Sequence, residues 1–160
     1  MKYKETFINI AIAALIIGTV ILIIIKFVIN KDKDNSMAFR IDDFDTLYLE
    51  DLDGHKIKFS KLLDDNRSTF CLIFEMSNCG SCIFEGIEDL KRIKNTGKQC
   101  FAVVVHDLVD EVAGWSIHYK FSPFFAMKKV DFYEHIQSPL LPVVVKIKGR
   151  KVENFRYIIP

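Results

Sequence analysis

Two cysteines, Cys79 and Cys82, stand three positions apart in the stretch FEMSNCGSCIFEG, residues 74–86. An apolar run precedes them and a helix-like run follows. A cysteine just before a helix meets free backbone N–H groups and the positive end of the helix dipole, and both stabilise a thiolate. A free thiol has a pKa of about 8.5, which helix N-termini and C-x-x-C motifs lower to roughly 3.5–7.5. Cys79 occupies that position, and Cys82 lies one turn further in, close enough to bond to it. The chemistry this favours is thiol–disulfide exchange, with Cys79 attacking and Cys82 resolving. A zinc site is the alternative, and it needs two more ligands, usually a second close pair. Cys71, Cys100, His55, His106, His118 and His135 supply no such pair. No metal and no cofactor is expected. Cys71 and Cys100 sit inside apolar runs and read as buried, inert thiols.

The elements that must position the pair can be read from period and punctuation. STFCLIFEM, residues 68–76, is a near-continuous apolar run, as suits a central strand covered on both faces. A helix is expected over about Cys82–Thr96, where Ile83, Ile87 and Leu90 recur at helical spacing and Gly97 supplies a stop. Glu85, Glu88 and Asp89 fall early in it and Lys91, Arg92 and Lys94 late, an order that complements the dipole. QCFAVVVHD reads as a second buried strand. Upstream, TLYLEDLDGHKIKF is a hairpin turning at Asp53-Gly54, and SKLLDDN is a short helix or turn. Downstream come a helix over 108–120 carrying Trp115, a short strand in SPFFAM, a short helix in VDFYEHIQ, and a strand–turn–strand in PLLPVVVKIKGRKVENFRY. Strand–helix–strand followed by a hairpin implies an α/β sandwich around a mixed sheet.

The 160 residues suffice for one domain of ordinary size, and 22 basic against 21 acidic residues give no basic excess of the kind nucleic-acid binding requires. Half of the residues are hydrophobic, and the run FINIAIAALIIGTVILIIIKFVI, 7–29, accounts for much of that. As a helix it is about 34 Å long, enough to cross a bilayer core. It exceeds the apolar core of a signal peptide, about 7–15 residues, and it is apolar on every face, unlike a core helix. The expected organisation is an N-terminal tail (1–6), a transmembrane anchor (7–29), a polar linker (30–38) and a globular domain (39–160). Lys2 and Lys4 before the run and Lys31 and Lys33 after it leave the positive-inside rule silent on orientation.

Three stretches in order, LEDLDGHKIKFSKLL, LIFEMSNCGSCIFE and LLPVVVKIKG, resemble the TlpA/ResA type of membrane-anchored thioredoxin-fold proteins, extracytoplasmic thiol–disulfide oxidoreductases of bacteria. The resemblance runs from about Thr46 to Val152. It implies a thioredoxin-like sandwich, a catalytic pair at Cys79 and Cys82, and a carboxylate at Glu85 near the pair. That carboxylate tunes the thiols or relays a proton if partly buried, or merely complements the dipole as a first-turn residue. It implies a cis-proline at Pro142 rather than Pro139. A partner-facing surface would form from Asn78, Gly80 and Ser81 around the cysteines and from the backbone of Leu141. The implied substrates are cysteine-containing proteins, with a redox partner protein. The implied location is the bacterial cytoplasmic membrane, single-pass, with the C-terminal domain facing the periplasm or cell exterior.

Departures are visible. Asn78 and Glu75 stand at positions usually aromatic in that family, Gly80-Ser81 replaces the common Gly-Pro or Glu-Pro, and the family's C-terminal helix is missing or reduced. One sheet face then needs cover from region 108–138, another subunit or a partner. Two rival readings follow. One is a peroxidase of the related peroxiredoxin group, which carries a Thr where this chain has Met76. The other is a non-enzymatic adaptor or redox sensor docking a membrane or envelope partner.

Overall fold

The computed structural model describes residues 39–159 together with Gly18 and Thr19. The expected tail, linker and nearly all of the expected anchor therefore lie outside the described residues, and among the described residues no helix is long and apolar enough to cross a membrane. Contacts divide the chain into two units, Met1–Ala38 and Phe39–Pro160. The second is described below.

Seven strands form one sheet in the order β3-β2-β6-β5-β4-β8-β9. They are β2 (Tyr48–Glu50), β3 (Lys56–Lys58), β4 (Ser68–Glu75), β5 (Gln99–Val105), β6 (Phe124–Met127), β8 (Val143–Lys148) and β9 (Lys151–Tyr157). Strands β4, β5 and β6 are parallel, and the outer pairings are antiparallel. A separate two-stranded piece, β1 (Arg40–Ile41) with β7 (Ile136–Gln137), was not expected from the sequence. Two residues per strand are too few to show a period of two. Three helices connect the strands: α1 (Gly80–Asn95), α2 (Val109–Tyr119) and α3 (Lys129–His135). SKLLDDN contributes to a 3-10 turn, Phe59–Leu62, rather than to an α-helix.

The apolar run of β4 makes sense at the centre of this sheet. Alternate side chains enter opposite cores, as strand geometry requires. Cys71 and Ile73 join Phe101, Val103, Val143 and Val145 on one face, beneath Phe44, Phe59 and Phe132. Leu72 and Phe74 face the other way, against Ile83, Ile87 and Leu90 of α1. Gly86 is what lets α1 lie that close. A Cβ there would come within 2.7 Å of both Leu72 Cδ1 and Ile158 Cδ1.

The face holding α1 is covered in two ways. Over β5 and β6, α2 brings in Val112, Trp115 and Tyr119, with the Trp115 ring 5.7 Å from Phe74. Region 108–138 thus does supply part of the expected cover, and Phe121, Phe124 and Phe125 within it are buried. Over β8 and β9, polar side chains do the work instead. Lys146 pairs with Glu153 at 2.7 Å, and Arg156 pairs with Asp89 of α1. A sheet face carrying charges in this way can meet water directly.

Candidate active site

Strand β4 ends at Glu75, and the chain reverses before α1 begins. Asn78 builds the reversal: its Oδ1 accepts the Glu75 N–H at 2.6 Å, and its own N–H donates to the Glu75 carbonyl at 3.0 Å. The position expected to meet a partner is therefore also a turn staple, a role that an Asn side chain performs well.

Cys79 is the N-cap of α1, and its carbonyl accepts the Ile83 N–H at 3.0 Å. The helix starts at Gly80, two residues earlier than the apolar period indicates, because Gly80 and Ser81 contribute no apolar side chain to the stripe. Cys79 is exposed and Cys82 is buried, and both are free thiols. Cys82 turns inward among Ile83, Ile87 and the β4 side chains. Ser81 Oγ lies 2.9 Å from Cys79 Sγ. Gly80 faces open space.

The two thiols are driven apart electrostatically. A hydrogen bond from the Cys82 thiol, helped by the Ser81 hydroxyl and the Cys82 backbone N–H, holds the Cys79 pKa down to about 7. Cys82 moves the opposite way: giving its proton to Cys79 as a hydrogen bond raises its pKa, and burial, the Cys79 charge and the Glu85 carboxylate add to the rise. The arrangement yields one accessible thiolate near neutral pH and one protected thiol behind it.

Glu85 differs from both expectations for it. It sits in the second turn of α1, not the first, and its side chain is more than half exposed, not partly buried. Its Oε1 lies 4.0 Å from Arg156 Nη1, so a cation from β9 faces the carboxylate whose charge reaches Cys82. Nothing in the sequence marked Arg156, because only the β8–β9 pairing carries it back across α1.

Pro142 precedes β8, whose first residue, Val143, is in register with Ile73 of β4. This puts Pro142 at the same end of the sheet as the cysteine turn. The Leu141–Pro142 peptide is cis, as is Ser122–Pro123, and the Pro142 carbonyl accepts the Ile158 N–H at 2.9 Å. Leu141, Asn78, Glu75 and Tyr133 line one cleft of about 240 Å³ beside the cysteines. A second cleft, about 400 Å³ and mostly apolar, opens on the other side of β4, between Met76 and the α2 residues Trp115 and Tyr119.

Among the described residues, the group of three or more metal-ligating side chains that come together is Asp51, Asp53 and His55, in the β2–β3 turn. It contains neither Cys79 nor Cys82. His106 follows β5 directly, and its Nε2 lies 3.4 Å from a carboxylate oxygen of Glu111 in α2.

No family model matches the chain, and neither does any curated protein. Solved structures do. An uncharacterized thioredoxin-like protein from Porphyromonas gingivalis superposes with a TM-score of 0.57 at 17% identity, over 73% of this chain and 81% of that one. A thiol:disulfide interchange protein from Bacteroides sp. gives 0.58 at 10% identity, over 75% and 82%. The peroxidoxin BcpB from Mycobacterium tuberculosis gives 0.53 at 15% identity, over 74% and 86%. At these identities the likeness establishes the architecture: the domain has a thioredoxin-like α/β fold with a mixed central sheet.

Proposed function

We propose that the protein is a thiol–disulfide oxidoreductase of the TlpA/ResA type, acting through Cys79 and Cys82. The observation that carries this reading is the asymmetry of the pair, with an exposed Cys79 whose pKa is held down to about 7 and a buried Cys82 whose pKa is raised. In the reductive direction, the Cys79 thiolate attacks one sulfur of a partner disulfide, and the other partner sulfur leaves as a thiolate. Cys82 then loses its proton and attacks Cys79 Sγ, releasing the second partner thiol. The chain ends with a Cys79–Cys82 disulfide, and two electrons have passed to the partner. The opposite direction runs the same steps in reverse.

The Leu141 backbone, Asn78, Gly80 and Ser81 meet the partner chain in this reading, and Pro142 shapes the opposing wall. Glu85 adjusts Cys82 through its charge, moderated by Arg156. The run 7–29 anchors the chain in a bacterial cytoplasmic membrane, with the domain on the outer side. The argument for that side is indirect: cytosolic thiols are kept reduced, so a tethered exchange centre is useful where disulfides form.

The test is the redox equilibrium of the full chain, followed by alkylation and mass shift across a thiol–disulfide buffer series. A reversible two-electron transition confined to Cys79 and Cys82, together with turnover on a disulfide substrate, is the expected result. A midpoint near about −270 mV would mark a reductant and one near about −120 mV an oxidant. A disulfide that forms without catalysing exchange would replace this reading with the adaptor or sensor, and peroxide consumption with the peroxidase.

A further inference from the structure

Glu75 closes β4 four residues before the nucleophilic cysteine, and its carboxylate is held in an unusual way. Tyr133 of α3 donates its hydroxyl to Glu75 Oε1 at 2.5 Å, and Ser77 donates to Oε2 at 3.1 Å. Both donors are neutral, so the negative charge is oriented but not neutralised. Glu85, the other carboxylate near the pair, has Arg156 facing it. No Lys, Arg or His among the described residues lies within ion-pair distance of Glu75. A carboxylate has about four acceptor sites, and two hydroxyls leave room for more.

The surroundings suit a cation. Tyr133 is 66% exposed although its hydroxyl is engaged, so its ring is presented to solvent beside the charge. Leu140, also exposed, lies on the same cleft. An aromatic face and an aliphatic side chain next to a fixed carboxylate form a receptacle for the stem and head of a long basic side chain. The neighbouring position offers the opposite chemistry, since Met76 faces the apolar cleft against Trp115. Glu75 is the last residue of β4 and Met76 opens the turn that follows, and the two line different clefts, one polar and one apolar, just before Cys79.

We infer that Glu75, oriented by Tyr133 and Ser77, is a specificity determinant that selects partner disulfides carrying a Lys or Arg close to the reacting cysteine. This rests on the oxidoreductase reading and names the substrate class of that same site. Glu75 acts by binding the partner, not by taking part in the exchange step.

The test uses the pre-reduced full chain in single turnover. Its substrates are synthetic peptides in which one cysteine forms a mixed disulfide with a coloured aromatic thiol. Arg, Gln or Glu is placed in turn at each of the two positions on either side of that cysteine. At one or more positions the Arg peptide should react about fivefold faster than the Glu peptide, the scale of a partly screened ion pair. Glu75→Gln should bring that ratio to about one, and Glu75→Lys should invert it. Because each ratio is taken within one variant, loss of folded protein cancels. Salt should erode the wild-type preference. Equal rates for all peptides, or a preference that survives Glu75→Gln, would overturn the inference while leaving the exchange chemistry standing. A wild-type chain that releases the thiol from no peptide would overturn the oxidoreductase reading itself, and the inference with it.

Discussion

Cys79 and Cys82 lie one helical turn apart, while Cys71 and Cys100 lie on adjacent strands, and the four thiols share a region around β4 and α1. Their chemistry differs sharply. The Cys79 pKa is held down to about 7 by donors from Cys82 and Ser81. Cys100 is pushed up to about 11 by burial, and burial likewise raises Cys71 well above the ordinary thiol value. The strand pair cannot close a disulfide in this arrangement. Cys71 is in register with Phe101, so Cys71 enters one core and Cys100 the other. A helix start offers free N–H groups and side-chain donors at one spot, whereas a sheet interior has its backbone donors already paired and excludes water. The same side chain is thus held as an accessible thiolate at one place and as an apolar filler at the other.

The largest expected effect comes from removing the proposed nucleophile. Cys79→Ser should reduce disulfide exchange to background, whereas Cys71→Ala and Cys100→Ala should retain turnover, as read by thiol release from a disulfide substrate. Turnover by Cys79→Ser would dissolve the contrast between the pairs.

Next comes the seat of α1, which holds Cys79 and Cys82 just beyond the end of the central strand β4. Gly86→Ala should destabilise the domain by about 1–3 kcal/mol, the usual cost of overpacking. Its Cβ would press on Leu72 and Ile158. Gly80→Ala meets nothing within 4 Å and should leave the urea midpoint nearly unchanged. Similar midpoints for the two variants would mean that α1 does not lie so close to β4.

The pH profile of alkylation sharpens the comparison further. A thiol reacts as its thiolate, so the Cys79 rate should rise with pH through a midpoint near 7, while Cys71 and Cys100 stay unlabelled in the native protein. Cys82→Ala removes the largest stabiliser of the Cys79 thiolate and should move that midpoint upward. Ser81→Ala should move it upward by less. A downward move in either variant would reverse the assigned roles of the donors.

The smallest effect is expected at the ion pairs. Arg156→Ala breaks contacts to the exposed Glu85 and to the half-buried Asp89, which keeps Arg92 as a second cation. It should cost no more than about 1 kcal/mol of stability, measured by urea unfolding. The Cys82 pKa should rise, because the Glu85 charge then acts on it unopposed. A fall in that pKa would show that Glu85 does not act on Cys82 through its charge.

Much of this protein was legible along the chain. The apolar run of β4, the 3.6-residue stripe of Ile83, Ile87 and Leu90, the Asp53-Gly54 hairpin and the order of the remaining elements are local patterns. Local patterns survive folding when each element buries the face that its period defines. The C-x-x-C spacing before a helix likewise determined that one cysteine would cap it and the other would lie one turn inside. Tertiary structure alone decided the rest. Arg156 reaches Glu85 only because β9 pairs back onto β8, and Tyr133 reaches Glu75 across 58 positions of sequence. The exposure of Glu85 depends on which way the helix turns over the sheet. Long-range polar contacts of this kind have no period and no spacing. They exist only once the apolar cores have set the backbone, and so they could not be read before the fold was in view.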